Sequence, residues 1–168
     1  SIALDAGAPG VFLVDQGMSE EDLLPLIDTF DELFPQLWLG VNLLTRDPSN
    51  ALSKVLAACD GIHGLWADNA GIDERMGPGD PQPDAAKFLA ARDDLKWPGL
   101  FFGGVAFKHQ RKVADRHPGY AASNAALYMD VVCTSGPATG VPADLAKIRV
   151  MSDALTKNTA LAVASGIT

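Results

Sequence analysis

The sequence predicts an α/β protein built on a parallel sheet, because short apolar runs alternate with longer amphipathic segments along the chain. The runs are apolar throughout rather than at every second residue, which is typical of parallel strands buried on both faces. Several are rich in β-branched or aromatic residues, and these favour strands over buried helices. The six predicted strands are residues 11–14, 37–41, 62–67, 100–107, 129–133 and 161–164.

Five helices are predicted between the strands from capping residues and apolar spacing. Ser19, followed by three acidic residues, resembles a capping box at the start of the first helix. Pro25 conflicts with that helix because it lacks a backbone N–H, and it predicts a late start or a bend. Asp47 followed by Pro48 gives a cap and a first-turn proline for the second helix. The other helices are predicted over residues 84–95, 113–127 and 143–155.

Two architectures fit six strands joined by five helices: an open doubly wound sheet and a (β/α)8 barrel, or TIM barrel, of about 250 residues. The chain lacks G-x-G-x-x-G after a strand and lacks the P-loop pattern, which disfavours the nucleotide-binding open sheets. Residues 1–10 are typical of the end of a helix and its exit loop, and residues 161–168 of a strand and its following loop. These ends favour the barrel. Residues 1–168 would then be a single domain that supplies strands 2–7 and lacks the first and last strands.

Composition and charge narrow the classes of function. Of the 168 residues, 48% are hydrophobic and 20% charged, which argues against disorder. The net charge of -8 gives no general attraction to phosphate backbones or anionic lipid, so we predict no nucleic-acid partner. The two cysteines, Cys59 and Cys133, form neither a metal-type pair nor a disulfide framework, which favours a reducing, cytoplasmic compartment. No transmembrane or signal segment is predicted, because no apolar run approaches the roughly 18 residues of a span.

Polar residues follow the predicted strands at their carboxyl ends, where catalytic groups gather in both architectures. Asp15 and Gln16 end the first strand, Asn42 the second, Asp68 the third and Lys108 the fourth. Residues of these types are also ordinary turn and cap residues, but their shared edge favours a catalytic set. We predict that Asp68 acts as general acid and base and that Asn42 orients the substrate. Lys108 directly follows a long apolar run, so we predict that it neutralises an anionic group or transfers protons.

Two segments rich in small residues are predicted to bind phosphate. Each follows a predicted strand and combines hydroxyl side chains with glycines, whose backbone N–H groups can converge on an anion. In barrels, phosphate commonly binds in the loops after strands seven and eight, and the second segment occupies the first of these positions. The same glycines also suit tight turns between a strand and a helix. The predicted phosphate-binding residues are Ser135, Gly136, Thr139, Gly140, Ser165 and Gly166.

Several motifs together resemble one known family. They are Gly10-Val-Phe-Leu-Val14, Leu39-Gly-Val-Asn42, Phe107-Lys108-His109, Ser135-Gly-Pro-Ala-Thr-Gly140 and Ser165-Gly166. With these motifs the chain resembles the BtpA family of (β/α)8 barrels, named for a protein of photosystem I biogenesis and with relatives in bacterial sugar-utilisation settings. The likeness runs through nearly the whole chain, and the Ser-Gly-x-Ala-Thr-Gly stretch is its most distinctive part.

The resemblance implies a fold close to the phosphate-binding barrels, a group that includes phosphoribosylanthranilate isomerase. The positions that match the family's motifs are Asn42, Lys108, Ser135, Thr139 and Ser165. Asp68 and the Asp15-Gln16 pair depart from the asparagine-type residues that the resemblance leads us to expect after those strands.

Three kinds of function remain open. The first is an enzyme that acts on a small phosphorylated metabolite, a phosphosugar or nucleotide-derived compound, by isomerase, lyase or glycosyl-transfer chemistry. The second is a non-catalytic assembly or regulatory factor of the BtpA type, which would expose an apolar patch on its outer helices. The third is a hydrolase in which Asp68, Asp73 and Glu74 hold magnesium. The sequence requires no cofactor and has no zinc-binding pattern, and it leaves open whether the protein is a homo-oligomer.

Overall fold

A computed structural model of the chain describes residues 5–108 and 117–166. Within them, six parallel strands form one sheet, and the order of the strands across the sheet is their order in the chain. The sheet curls into a half-barrel, so the predicted class of an α/β protein with a parallel sheet is confirmed. The strands are β1 (Gly10–Val14), β2 (Trp38–Asn42), β3 (Gly64–Ala67), β4 (Leu100–Gly104), β5 (Val131–Ser135) and β6 (Ala160–Ala164).

Five helices connect successive strands, as the apolar spacing predicted. They are α1 (Glu20–Leu33), α2 (Pro48–Ala58), α3 (Pro83–Asp94), α4 (Pro118–Ala125) and α5 (Leu145–Ala154). In the described residues 5–108 and 117–166, no helix is both long and apolar enough to cross a membrane.

The two predicted caps are confirmed. The Ser19 hydroxyl accepts a hydrogen bond from the Asp22 N–H at 3.1 Å, and the Asp47 carboxylate accepts one from the Asn50 N–H at the same distance. Of the two outcomes predicted for Pro25, a late start or a bend, the late start is wrong, because α1 begins at Glu20 and continues through Pro25. Proline removes one backbone hydrogen bond from the helix, and burial of the apolar face of α1 outweighs that loss.

Most predicted element boundaries shift by one or two residues, and three differences lie around β4 and β5. β4 ends at Gly104 rather than residue 107, because Ala106 adopts a positive φ of 47° and turns the chain. β5 continues to Ser135, so that residue lies within the strand rather than after it. The fourth helix was predicted from residue 113, and its residues 113–116 lie outside the described part of the chain. Within the described residues, α4 begins at Pro118, and the His117 side chain accepts a hydrogen bond from the Tyr120 N–H.

Alternation along the strands gives the sheet two faces of different composition. On the convex face, aliphatic and aromatic side chains of the strands, including Val41, Leu65 and Phe101, pack against buried residues of the helices such as Ile27 and Leu52. All five are fully buried. This layer is the main hydrophobic core, and it fixes the strands on which the other face depends.

The concave face carries a cluster of aromatic rings. Phe12, Trp38, Trp66 and Phe102 come from four adjacent strands, and their ring centroids lie 5.2 to 5.8 Å apart in the contacting pairs. Most of these pairs meet edge to face, the arrangement that the ring quadrupoles prefer. These rings fill the hollow of the half-barrel.

Glycines on neighbouring strands make room for two of these rings. A Cβ atom at Gly40 would lie 2.3 Å from Phe12 Cε1, and one at Gly64 would lie 2.2 Å from Trp38 Cη2. Phe12 and Gly40 are partners in the register of β1 and β2. The aromatic rings can therefore lie flat over the adjacent strand only because that strand has no side chain there.

Candidate functional site

A cavity of about 390 Å³ lies at the carboxyl ends of the strands, above the aromatic cluster. Five of the nine predicted site residues line it: Asn42, Asp68, Lys108, Thr139 and Ser165. Side chains that were not predicted also line it, namely the aromatic Phe12, Trp66 and Phe107. The cavity therefore combines an aromatic surface with one carboxylate, one amide, one ammonium and two hydroxyl groups.

Asp68 is held in one orientation by two donors from neighbouring strands. The Trp66 indole Nε1 donates to Asp68 Oδ1 at 2.9 Å, and Asn42 Nδ2 donates to the same oxygen at 3.3 Å. Asn42 and Trp66 are register partners of β2 and β3, so the sheet itself sets this arrangement. A carboxylate fixed in this way is suited to exchange a proton with a bound molecule or to bind its donors.

Asn42 contributes a buried acceptor that is left unsatisfied. The residue is 6% exposed, and among the described residues its Oδ1 atom has no hydrogen-bond partner. Reversing the amide would place Oδ1 against the Asp68 carboxylate, so the bond to Asp68 fixes which atom is left over. A buried acceptor without a partner costs about 1–3 kcal/mol, and such groups are rare away from functional sites.

Lys108 is half-buried and reaches the cavity from the loop after β4. Its backbone N–H donates to Ser135 Oγ at 2.7 Å, which ties the loop to the end of β5. Its ammonium group lies 5.9 Å from the centroid of the Phe107 ring. A cation at this distance from an aromatic ring is attracted to its face. His109, the next residue of the predicted motif, lies outside the described residues.

Two charged side chains hold the turn that precedes Lys108. The Glu74 carboxylate accepts a hydrogen bond from the Ala106 N–H. The Lys147 ammonium, on α5, donates to the Ala106 carbonyl at 2.6 Å and to the Ser135 carbonyl at 2.8 Å. Ala106 has the positive φ, which is unfavourable for a residue with a side chain, and these contacts hold it there. We call Glu74 and Lys147 the turn clamp.

Ser135 and Gly136 lie beside the cavity rather than in its lining. Ser135 is fully buried, and its hydroxyl accepts from the Lys108 N–H and donates to the Gly136 carbonyl. A Cβ atom at Gly136 would lie 2.0 Å from the Val141 carbonyl oxygen, so the backbone is closely packed there. Both residues therefore support the loops that surround the cavity.

The two predicted phosphate-binding segments contact each other. The Gly140 N–H donates to Ser165 Oγ at 2.9 Å. Gly140, Ser165 and Gly166 all have positive φ values, of 77°, 70° and 66°. For Ser165 this is a strained conformation, and strain of this kind concentrates at functional sites. The structure thus places Thr139 and Ser165, from different loops, on the same side of the cavity.

The three carboxylates considered for magnesium do not form a group. Asp73 pairs with the Arg75 guanidinium and Glu74 bonds to the Ala106 N–H, while Asp68 bonds to Trp66. Within residues 5–108 and 117–166, no cluster of three or more His, Cys, Asp or Glu side chains is placed to hold a metal ion.

Two other polar groups near the cavity have local roles. Asp15 Oδ1 accepts a hydrogen bond from the Leu44 N–H at 2.9 Å, so this carboxylate holds the loop after β2, and Gln16 lines the cavity.

Cys133 lies on the concave face and is fully buried. Burial and, to a smaller extent, the Asp68 carboxylate raise the pKa of the Cys133 thiol far above its ordinary value. The thiol is therefore neutral and is not a nucleophile in the folded protein.

Sequence reasoning missed the aromatic lining and Lys147. Phe12 and Trp66 have the same strand phase as Asn42 and Asp68, and this phase could have placed all four on one face. Lys147 carries no such signal, because it is one of several charged residues on α5.

The fold and the cavity together define a class of protein, a parallel α/β half-barrel with an aromatic and polar cavity at the carboxyl ends of its strands. No protein-family model matches the sequence, and no curated protein matches it significantly. The function is therefore inferred from the chemistry of the cavity.

Proposed function

We propose that the chain is part of a (β/α)8 barrel enzyme that acts on a small phosphorylated metabolite, a phosphosugar or a nucleotide-derived compound. The parallel order of the six strands and the curl of the sheet support the barrel. The motifs by which the sequence resembles the BtpA family agree with this architecture, and we propose that the chain belongs to that family.

One observation carries the functional proposal. The cavity gathers Asn42, Asp68 and Lys108 with Thr139 and Ser165 from the loops after β5 and β6. Cavities of this size hold small metabolites, and in sheets of this kind they form at the carboxyl ends of the strands. The combination of one carboxylate, one ammonium group and two hydroxyls suits a ligand with both an anionic group and a neutral polar part.

Each group has a role in the proposed reaction. Thr139 and Ser165 bind the phosphate, and the Lys108 ammonium neutralises its charge. Gly140 and Gly166 do not line the cavity, and their left-handed backbone shapes the loops that carry Thr139 and Ser165. Asp68 gives and takes the proton, in an orientation fixed by Trp66. Asn42 orients the reacting part of the ligand, while Ser135 and Gly136 hold the loops in position. Isomerisation, lyase chemistry and glycosyl transfer all use such an acid–base group.

A thermal-shift titration tests the phosphate requirement. Phosphosugars and nucleotides at about 100 times their dissociation constant should stabilise the protein by about 2.7 kcal/mol, a rise of several degrees in Tm. Their unphosphorylated counterparts should give a much smaller rise. Lys108→Met should abolish the difference between the two sets, because the charge that the phosphate meets is then missing.

Lys157→Met is the matched control, because Lys157 is exposed in the loop before β6. This loop lies at the amino ends of the strands, whereas the cavity lies at their carboxyl ends. It should leave the phosphate-dependent rise in Tm unchanged. A broad panel without any phosphate-dependent rise would contradict the proposed function. If Lys108→Met and Lys157→Met lose the phosphate-dependent rise in Tm equally, the role of Lys108 is wrong while the rest of the proposed function stands.

One feature favours the alternative of a non-catalytic assembly factor. An apolar groove of about 350 Å³ runs between β1 and α1 and includes Leu26 and Leu33, which are 49% and 65% exposed. In the proposed barrel this groove is where a neighbouring β/α unit packs, so the enzyme proposal accounts for it as well. A stoichiometric protein partner that binds wild type and Lys108→Met equally would favour the assembly role.

A further inference from the structure

The cavity has different hydrogen-bonding character on its two sides, as the order of the strands defines them. On the side of β2 and β3 lie the Asn42 amide, 6% exposed, and the Asp68 carboxylate beside it. On the side of β4 to β6 lie the Lys108, Thr139 and Ser165 side chains, each from the loop after one of these strands. The second side thus offers a cation and hydroxyl donors, whereas the first side offers acceptors.

The arrangement on the β2–β3 side determines what a ligand must supply there. Trp66 Nε1 and Asn42 Nδ2 both direct a hydrogen to Asp68 Oδ1. Within residues 5–108 and 117–166, the atom left without a partner is an acceptor, Asn42 Oδ1. A ligand hydroxyl or N–H would satisfy that acceptor and would remove its desolvation cost. A ligand carboxylate or keto oxygen has no hydrogen to donate and would instead leave it unsatisfied.

The aromatic lining adds a second requirement. Phe12, Trp66 and Phe107 form an apolar wall next to these polar groups. Trp66 belongs to the apolar wall and to the polar group as well, since its ring lines the cavity and its Nε1 atom donates to Asp68. A ligand that packs on this wall presents a face of C–H groups or a flat ring and carries its donors at the edge.

We infer that the ligand of this cavity carries a neutral, donor-bearing head, a run of hydroxyl groups as in a sugar or polyol, at the end opposite its phosphate, and that Asn42 Oδ1 selects this head over a carboxylate. The inference rests on the proposed function for the phosphate and adds the chemistry of the other end of the ligand.

A matched pair of compounds tests the inference. Glucitol 6-phosphate and 6-phosphogluconate differ only at C1, which is a CH2OH group in the first and a carboxylate in the second. We expect the wild-type protein to bind glucitol 6-phosphate at least tenfold more tightly in calorimetric titrations. Asn42→Leu, which keeps the branched shape of the side chain and removes the acceptor, should weaken binding of glucitol 6-phosphate about tenfold, the contribution of one hydrogen bond. The same variant should leave the affinity for inorganic phosphate unchanged.

The outcomes separate this inference from the proposed function. If 6-phosphogluconate binds as tightly as glucitol 6-phosphate or more tightly, the donor-bearing head is wrong while the phosphate site stands. If Asn42→Leu keeps the full preference, the selection by Asn42 Oδ1 is wrong. Binding of unphosphorylated glucitol as tight as that of its phosphate would overturn the phosphate site alone. If neither compound nor inorganic phosphate binds, both are wrong. Should Asn42→Leu fail to fold, the wild-type comparison of the two compounds still decides the chemistry of the head.

Discussion

The two faces of the sheet have different roles: the convex face stabilises the fold, and the concave face carries the candidate site. The convex face is covered by helices, and its side chains, such as Val41, Leu65 and Phe101, are fully buried in one continuous core. The concave face is aromatic, contains glycines where a side chain would collide, and ends in the polar cavity. Because successive residues of a strand point to opposite faces, each strand contributes to both roles. Neighbouring residues in the sequence should therefore respond differently to the same substitution.

The unfavourable features of the molecule also concentrate on the cavity side. Of the three non-glycine residues with positive φ in the described ranges, Ala106 and Ser165 lie at the cavity edge. The unpaired Asn42 Oδ1 atom lies there too. The helix-covered core supplies the stability that lets these groups stay in unfavourable states, which is the usual relation between a scaffold and a binding site.

The largest contrast is expected between two adjacent residues of β4. Phe101 is fully buried on the convex face and stacks on Phe88 at a centroid distance of 3.8 Å, whereas Phe102 is half-buried on the concave face. Phe101→Ala should lower the free energy of unfolding by about 3–5 kcal/mol, because it opens a cavity in a closed core. Phe102→Ala should cost about half as much, because its side chain is only half-buried in the folded protein.

Urea unfolding of the two variants measures this contrast directly. The midpoint should fall in both variants, with an unchanged slope against denaturant. Equal losses from Phe101→Ala and Phe102→Ala would contradict the separation of the two faces.

The turn clamp gives the next largest effect and links the two faces. Lys147→Met removes the ammonium donor from the Ala106 and Ser135 carbonyls, and the Ala106 carbonyl keeps the longer bond from the Thr134 hydroxyl. It should therefore lower stability by about 1–3 kcal/mol. It should also weaken phosphate binding about as much as Lys108→Met does, because the turn that presents Lys108 is no longer held. Calorimetric titration with inorganic phosphate measures this loss.

Arg149→Met is the control for the clamp, since this residue is an exposed cation on the same helix. It should change neither the stability nor the affinity for phosphate. If Lys147→Met destabilises the protein but binds phosphate normally, the clamp is structural only.

The smallest effect is expected where charges rather than packing join α1 to α2 and to the loop before α2. Glu20 on α1 pairs with Arg46 and Lys54, and the hydrogen bonds from Arg46 and then Lys54 lower the pKa of Glu20 below its ordinary value of 4.5. A lowered pKa in the folded state stabilises the protein above the unfolded value, and this stability is lost as the pH falls through the folded pKa.

Glu20→Gln should therefore destabilise the protein at neutral pH by less than about 1 kcal/mol, and the difference from wild type should vanish well below pH 4.5. Unfolding midpoints measured from pH 3 to pH 7 check the trend. Glu21→Gln is the control, because Glu21 is exposed and is one position along the same helix. A difference for Glu20→Gln that stays constant with pH would show that the ion pairs contribute nothing.

Local signals in the sequence predicted most of the fold. The order of strands and helices follows from apolar runs, and the caps at Ser19 and Asp47 follow from residues three positions apart. The end of β4 could not be predicted, because the apolar run continues through the turn at Ala106. That turn is held by Glu74 and Lys147, which lie 32 and 41 residues away in the chain. Contacts of this range leave no pattern in a single sequence.

The candidate site was predictable as a set of positions but not as an arrangement. Functional residues of parallel sheets gather at the carboxyl ends of the strands, and this rule predicted one location for Asn42, Asp68 and Lys108. All three line the same cavity. It could not indicate that Trp66 and Asn42 share one oxygen of Asp68, or that Ser135 turns to the loop rather than the cavity. These details depend on side-chain rotation and on register, which follow only from the packed sheet.

The glycines beneath the aromatic rings have a consequence for how this protein can change. Phe12 needs an empty position at Gly40, and Trp38 needs one at Gly64. A side chain can appear at either glycine only when its aromatic partner becomes smaller. Each pair is therefore expected to vary as a unit among descendants of this sequence. Such paired exchanges would reshape the wall of the cavity, and with it the preferred ligand, while the helix-covered core keeps its composition.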